Sequence, residues 1–182
     1  MLDEPRRPWL DPEALKEKFH ALSAEHHPDV AKDSRIDFAQ LNTAYQILRD
    51  PITRVRHLLE LEFPQALTEH RAIPSDIADL FLRICQTQQA IQNFRTRENQ
   101  ATTPLARALL MSEKLNLREQ LEAILVLLDE KQRSCLDELR NLDVGWGQET
   151  GTPATILSAL HLKLAYLSKW LQQLRDCLFT LA

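Results

Sequence analysis

The sequence predicts an all-α protein, in which an amino-terminal helical hairpin is followed by a three-helix bundle with coiled-coil-like packing. Glycine occurs only three times, and all three glycines lie between Gly145 and Gly151, so folds that depend on many tight turns are disfavoured. Apolar residues recur at helical spacing along most of the chain. With 182 residues, of which 44% are hydrophobic, the chain can build a core without disulfides or metals.

Charge and hydropathy narrow the classes of partner. The formal net charge of -4 and the pI near 5.9 provide no basic field for nucleic acid or for an anionic membrane surface. The longest apolar runs, such as Ala123 to Leu128, are too short to span a bilayer, and the acidic start Met1 to Glu4 is unlike a signal peptide. We therefore expect a cytoplasmic protein with neither nucleic acid nor membrane as its partner.

The cysteines do not indicate a cross-linked or metal-binding framework. Cys85, Cys135 and Cys177 are far apart, odd in number and without a pair at metal-binding spacing. We expect buried thiols, no metal and no cofactor.

The first two helices predict the hairpin. Asp11 and Pro12 are a suitable N-cap and first residue for a helix that ends near Glu25. A second helix is predicted from about Arg35 to the Asp50-Pro51 step. Each has an apolar stripe, and the two stripes are Leu15, Phe19, Leu22 and Phe38, Leu41, Tyr45, Leu48. Facing stripes make an antiparallel hairpin, whose connecting loop contains His27-Pro28-Asp29. A short helix from Ile52 to Leu61 then closes a first domain over residues 1–65.

Residues 66–182 predict a second domain of three long helices, at about 75–97, 104–142 and 153–180, separated by breaks that contain proline or glycine. Leucines of the last helix alternate spacings of three and four, as in coiled coils; they are Leu157, Leu160, Leu164, Leu167, Leu171, Leu174 and Leu178.

The tripeptide His27-Pro28-Asp29 in a loop between two such helices, followed by the segment from Leu41 to Pro51, resembles the J-domain of DnaJ proteins. The likeness covers residues 10–63. The segments from Leu10 to Leu22 and from Asp50 to Leu59 are similar to the HscB-type co-chaperones of iron-sulfur cluster assembly. That family also continues into a three-helix bundle, in place of a glycine- and phenylalanine-rich linker.

The resemblance implies a co-chaperone rather than an enzyme. It implies that the chain stimulates ATP hydrolysis by a DnaK/HscA-type chaperone through His27, Pro28 and Asp29, with Lys16 and Lys18 supplying positive charge for an acidic partner surface. Without the helical context, the tripeptide would be an ordinary turn. His20, His26 and His27 form no metal site by this interpretation, because no carboxylate or thiol completes one at helical spacing.

The resemblance also implies an iron-sulfur scaffold protein as the client of the second domain. Two registers compete for the apolar client surface: chain order indicates Phe81 and Leu82, whereas residue type indicates Met111 and Leu115. Tyr166 matches an aromatic residue of the family's last helix. The competing interpretation of all five residues is bundle core.

The amino terminus departs from the family. Only Met1 to Trp9 precede the first helix, and Pro5 and Pro8 interrupt them, so the short first helix of J-domains is missing or cut short. Either the chain begins further upstream or the hairpin is capped differently, with Trp9 as a candidate cap. A second functional class also stays open, in which a degenerate J-like hairpin serves as an adaptor and the heptad helices drive oligomerisation. The oligomeric state is left open.

Overall fold

The computed structural model describes residues 2–25, 38–67, 74–147 and 153–181. These ranges contain six α-helices, a short 3₁₀ turn at Pro64–Leu67 and no strand, which confirms the all-α prediction. The helices are α1 Pro12–Glu25, α2 Phe38–Arg49, α3 Pro51–Glu62, α4 Ser75–Gln100, α5 Pro104–Val144 and α6 Pro153–Thr180. None of the helices in this part of the chain combines the length and the apolar composition that a membrane crossing requires.

The chain divides into two compact units. The first contains Met1–Arg71 together with Leu136–His161, and the second contains Ala72–Cys135 together with Leu162–Ala182. The predicted boundary at residue 65 concerns independent folding and stays a prediction.

The core of the hairpin in the first unit lies between α1 and α2. Leu15, Leu41 and Tyr45 are buried there, as the stripes predict, and Leu2 joins them from the segment before α1. Phe38, at the first turn of α2, is 38% exposed, so the stripe of α2 is buried from Leu41 onward. Asp11 caps α1 by accepting from the backbone N–H groups of Glu13 and Ala14.

Asp50 starts α3 in the same way. Its carboxylate accepts from the backbone N–H groups of Ile52 at 3.3 Å and Thr53 at 3.4 Å, with Pro51 as the first helical residue. Val55, Leu58 and Leu59 are buried on one face of α3, so this helix packs as a third layer of the first unit rather than as a linker.

The second unit is the predicted three-helix bundle. The buried stripes are Ile77, Ile84, Thr87, Ile91 and Phe94 on α4; Leu117, Leu121, Ile124, Leu128 and Cys135 on α5; and Leu164, Leu167, Trp170, Leu171 and Leu174 on α6. Two ion pairs join the helices, between Lys163 and Asp76 at 2.7 Å and between Arg175 and Asp129 at 3.1 Å. The helices α4 and α5 run two to three residues beyond the predicted ends at 97 and 142.

The expectation for the cysteines is correct for one residue and wrong for another. Cys135 is buried, whereas Cys85 is exposed because it follows the buried Ile84 by one position and therefore points away from the stripe of α4. Cys177 is intermediate, and its pKa is raised by burial first and by Asp176 second.

Candidate functional site

The tripeptide His27-Pro28-Asp29 lies outside the described residues, in the segment 26–37 between α1 and α2. The helices on both sides of that segment are firmly packed. The rings of Phe19 and Tyr45 stack with centroids 4.1 Å apart and planes 11° apart, and Leu15 and Leu41 are 2% and 0% exposed. Such a hairpin fixes the two points at which the segment with the tripeptide begins and ends.

The two lysines proposed for partner docking lie in different surroundings. The Lys16 side chain is 53% exposed and its Nζ is 3.9 Å from a carboxylate oxygen of Glu13. Lys18 instead donates from Nζ to Glu4 at 2.8 Å and to the backbone oxygen of Asp3 at 3.2 Å. Residues two positions apart on a helix do not share a face. Lys18 is therefore engaged within the chain, whereas Lys16 points to solvent.

The segment that engages Lys18 is the stretch Leu2–Leu10, here called the strap. No part of the strap is helical, and it closes the hairpin with an apolar side chain, because Leu2 is 3% exposed among the core residues of α1 and α2. The sequence suggested Trp9 as the cap, but Leu2 occupies that place in the core.

The strap is also attached to the carboxyl end of α5. Asp143, which is 8% exposed, accepts from Arg7 through both carboxylate oxygens, with Nε at 2.9 Å, and from the backbone N–H of Trp9 at 3.1 Å. The side-chain hydrogen bond with Asp143, followed by the Asp143 charge, raises the pKa of Arg7. Trp146 donates from its indole nitrogen to the backbone oxygen of Arg6 at 2.8 Å.

The ring of Trp9 is close to two guanidinium groups. Arg140 is 4.3 Å and Arg54 is 5.5 Å from the centroid of its ring, which are cation-π distances. Arg54 is only 4% exposed and donates to the backbone oxygens of Pro8 at 3.2 Å and Leu48 at 2.8 Å, while its burial lowers its pKa. Sequence reasoning missed this network, since Arg7 and Asp143 are separated by 136 positions and no local periodicity links them.

Two of the residues proposed for client binding, Phe81 and Tyr166, lie next to the same aromatic side chain, Trp170. The rings of Phe81 on α4 and Tyr166 on α6 lie 5.8 Å and 5.5 Å from the ring of Trp170. Leu82, next to Phe81, is 58% exposed. Trp170 was not singled out from the sequence, although its spacing of four from Tyr166 places the two on one helix face.

The other two proposed client residues lie on α5. Met111 and Leu115 are 58% and 55% exposed, one turn apart, and Leu105 and Leu109 on the preceding turns are exposed as well. Bundle core is therefore the wrong interpretation for Leu82, Met111 and Leu115, because these side chains face solvent. Apolar side chains in solvent at this density are typical of a contact surface.

Metal-binding chemistry is not evident in the described ranges, where no group of three or more His, Cys, Asp or Glu side chains is placed to hold an ion. His26 and His27 lie outside these ranges, whereas His20 is exposed on α1.

Comparison with known proteins agrees with this geometry. Residues 7–57 match the DnaJ domain family. The J-type co-chaperone JAC1, mitochondrial, of Saccharomyces cerevisiae is 32% identical over 71 residues, which are 37% of this chain and 39% of that protein. The co-chaperone protein HscB homolog of Azoarcus sp. is 37% identical over 65 residues, which are 31% of this chain and 37% of that protein.

A solved structure has a similar fold. Chaperone HscB from Vibrio cholerae superposes with a TM-score of 0.57 at 20% identity, covering 100% of this chain and 96% of that one. The matched segments span about two fifths of the curated relatives' length. Residues 7–57 thus match the DnaJ domain family, and the chain has a fold similar to that of chaperone HscB from Vibrio cholerae.

Proposed function

We propose that this protein is a co-chaperone that stimulates ATP hydrolysis by a DnaK/HscA-type chaperone, and that it is not itself an enzyme. The match of residues 7–57 to the DnaJ domain carries the proposal, because these residues include His27-Pro28-Asp29 between two packed helices. Co-chaperone activity of this kind requires docking on the partner chaperone but no catalytic group. The exposed surface of α1 is available for such docking.

Each member of the tripeptide has a physical role in this proposal. The Asp29 carboxylate accepts hydrogen bonds from an arginine of the partner in a charge-assisted pair. Pro28 restricts the backbone of the loop, and His27 holds the loop by hydrogen bonding. Lys16 contributes the exposed positive charge on α1, whereas Lys18 first has to leave Glu4.

Single-turnover ATP hydrolysis by the organism's DnaK-class chaperones tests the proposal. Wild type is expected to accelerate hydrolysis, and His27→Gln and Asp29→Asn to abolish the acceleration without altering helix content. His57→Gln is the matched control, since His57 is a partly exposed histidine of α3 outside the segment with the tripeptide. Equal acceleration by wild type and His27→Gln contradicts the mechanism.

For the client, we propose an iron-sulfur scaffold protein that binds the exposed apolar residues of the second unit. Leu82→Ser tests the surface near Phe81 and Tyr166, and the pair Met111→Ser with Leu115→Ser tests the surface on α5. Loss of scaffold capture by the full chain in one of these variants identifies the register. Val126→Ser is the control, because Val126 is 55% exposed on α5 but lies beyond both sets. Capture that survives both variants contradicts the assignment.

The adaptor alternative depends on free heptad leucines, and α6 does not offer them. From Leu157 to Leu174 the row is between 0% and 2% exposed, so these side chains are already packed within the chain. Self-association through α6 would require the bundle to open. Failure of wild type to stimulate any DnaK-class chaperone, combined with a light-scattering mass above the 21.0 kDa of the chain, would favour the adaptor.

We propose a cytoplasmic location for this protein, because the proposed chaperone partner is cytoplasmic.

A further inference from the structure

The two halves of the strap are held in different ways. The later half, residues 6–9, is fastened by hydrogen bonds with Asp143 and Trp146 from beyond the middle of α5. The earlier half, residues 2–4, is held by the buried side chain of Leu2 and by the two hydrogen bonds that Lys18 donates. We call residues 2–4 the latch.

Backbone conformation and packing make the latch less secure than the later half. Asp3 has a φ of 47°, in the left-handed region that residues other than glycine adopt at a cost in free energy. A cavity of about 230 Å³ lies beneath this part of the strap, with walls that include Leu2, Leu48 and Leu58. Protein interiors are normally close-packed, so the side chains around this cavity lack part of their usual contacts. Both features lower the cost of releasing the latch.

The latch gives the two lysines of α1 different partners. Glu4 accepts from the Lys18 ammonium at 2.8 Å, and the Glu4 side chain is only 18% exposed. The carboxylate nearest to Lys16 belongs to Glu13, which is 79% exposed and 3.9 Å away, beyond hydrogen-bond distance. A carboxylate on a partner surface can therefore approach Lys16 directly, but it has to compete with Glu4 for Lys18.

We propose that residues 2–4 are an autoinhibitory latch, which occupies Lys18 and has to be displaced before this lysine pairs with a carboxylate of the DnaK-class chaperone. The inference rests on the proposed co-chaperone function and adds a regulatory step to it. Release exchanges an ion pair within the chain for one between the two proteins, while residues 6–9 stay fastened to Asp143. The chain therefore docks more weakly with the latch closed than with the latch released.

The substitution Glu4→Gln tests the competition, because it removes the charge that holds Lys18 and keeps the shape of the side chain. We measure how stimulation of the chaperone ATPase depends on the concentration of the full chain. Half-maximal stimulation should need about two- to fivefold less of Glu4→Gln than of wild type, the range that corresponds to one exposed ion pair. Glu62→Gln is the control: it removes the same charge and the ion pair with Arg6 in the later half of the strap, and it should behave as wild type.

A double-mutant cycle assigns the effect to the pair of side chains. Glu4→Gln should produce no further gain in a chain that already has Lys18→Gln, because the latch then has no ammonium group to occupy. An equal gain in both backgrounds would mean that Glu4 acts through the net charge of the surface, and it would overturn the latch.

The reactivity of the lysines tests the latch without the chaperone. Acetylation of the full chain, followed by mass spectrometry, should modify Lys18 more slowly than Lys16 in wild type. Glu4→Gln should accelerate the modification of Lys18 and leave that of Lys16 unchanged, with helix content checked by circular dichroism. If Glu4→Gln does not accelerate the modification of Lys18, the latch is wrong whatever the chaperone does.

The ATPase outcomes separate the two proposals. If wild type stimulates the chaperone and Glu4→Gln needs the same concentration, the latch is wrong while the co-chaperone function stands. If Glu4→Gln stimulates and wild type does not, both proposals are supported. If neither protein stimulates, the co-chaperone function itself fails, and the regulatory role of the latch fails with it.

Discussion

Asp143 shows how one buried carboxylate can fasten a segment that has no secondary structure. It accepts from the Arg7 side chain and from the backbone of Trp9, and it is nearly inaccessible to solvent. A carboxylate removed from water is stable only when such donors replace its hydration. The strap depends on this residue because Leu2–Leu10 has no ladder of backbone hydrogen bonds to hold it.

We predict that Asp143→Asn destabilises the protein by about 2 kcal/mol, the range for hydrogen bonds to a charged group, with Arg7 partly screened by solvent. Urea unfolding measures the change. Glu122→Gln, in an exposed ion pair with Arg118 on the same helix, should cost less than about 1 kcal/mol. Equal effects of the two substitutions would show that the Asp143 network contributes no more than a surface pair.

His161, on α6, makes stability depend on pH. Burial lowers the pKa of His161, nearby Arg56 lowers it further, and Glu60 acts in the opposite direction. Because the pKa is lower in the folded than in the unfolded state, the unfolded chain binds the proton first as pH falls below about 7. The contribution of His161 to stability is thus present above the unfolded pKa and lost on acidification.

We therefore predict that the free energy of unfolding falls between about pH 7.5 and pH 5 and that His161→Gln reduces this fall. Urea denaturation at both pH values provides the measurement, with His20→Gln as the control at an exposed position on α1. An unchanged pH dependence in His161→Gln would mean that its burial has no effect on stability.

At the scale of elements, side-chain hydrogen bonds fix the junction between α2 and α3. α2 ends at Arg49, and Asp50 both separates the helices and caps the second. The Thr53 hydroxyl reinforces the corner by donating to the backbone oxygen of Ile47 at 2.8 Å. The corner sets the direction in which Arg54 leaves α3 toward the strap.

Asp50→Ala should cost about 1 kcal/mol, the usual loss for an N-cap that accepts from two backbone N–H groups. Asp50→Ser or Asp50→Asn should recover most of it, because both side chains retain an acceptor at the same position. Thermal unfolding of the three variants is the measurement. If Ala and Ser are equally destabilising, the carboxylate acts through its charge rather than as a cap.

At the scale of the whole molecule, the first unit is not made from a continuous stretch of chain. Leu136–His161 belongs to it together with Met1–Arg71. Asp143, Trp146 and Arg140 all come from this later stretch and all contact the strap. The ring of Trp146 also meets the ring of Phe63 edge-on, with centroids 6.3 Å apart.

We predict that an isolated segment of residues 1–65 is markedly less stable than the same residues in the full chain, since it lacks the partners of Arg7, Trp9 and Phe63. Hydrogen exchange at the Trp9 amide and at the α1 and α2 amides is the measurement. Cooperative unfolding of the segment with full-chain protection would instead support residues 1–65 as an independent domain.

Local sequence patterns were sufficient to predict most of the helices and the likeness to the DnaJ domain. The alternation of apolar residues, Asp11 with Pro12, and Asp50 with Pro51 predicted helix ends to within a few residues, because those signals act over one or two turns. The tripeptide His27-Pro28-Asp29 likewise depended only on its neighbours in sequence, and residues 7–57 match the DnaJ domain that it indicated.

Long-range packing was needed for the rest. That Leu2 rather than Trp9 closes the hairpin, that Lys18 is paired with Glu4 while Lys16 is exposed, and that Asp143 fastens the strap are all contacts between distant parts of the chain. Periodicity specifies which face of a helix is apolar, but not which distant side chain will cover it or neutralise its charges. In this protein, such long-range contacts pair Lys18 with Glu4 and leave Lys16 exposed on α1.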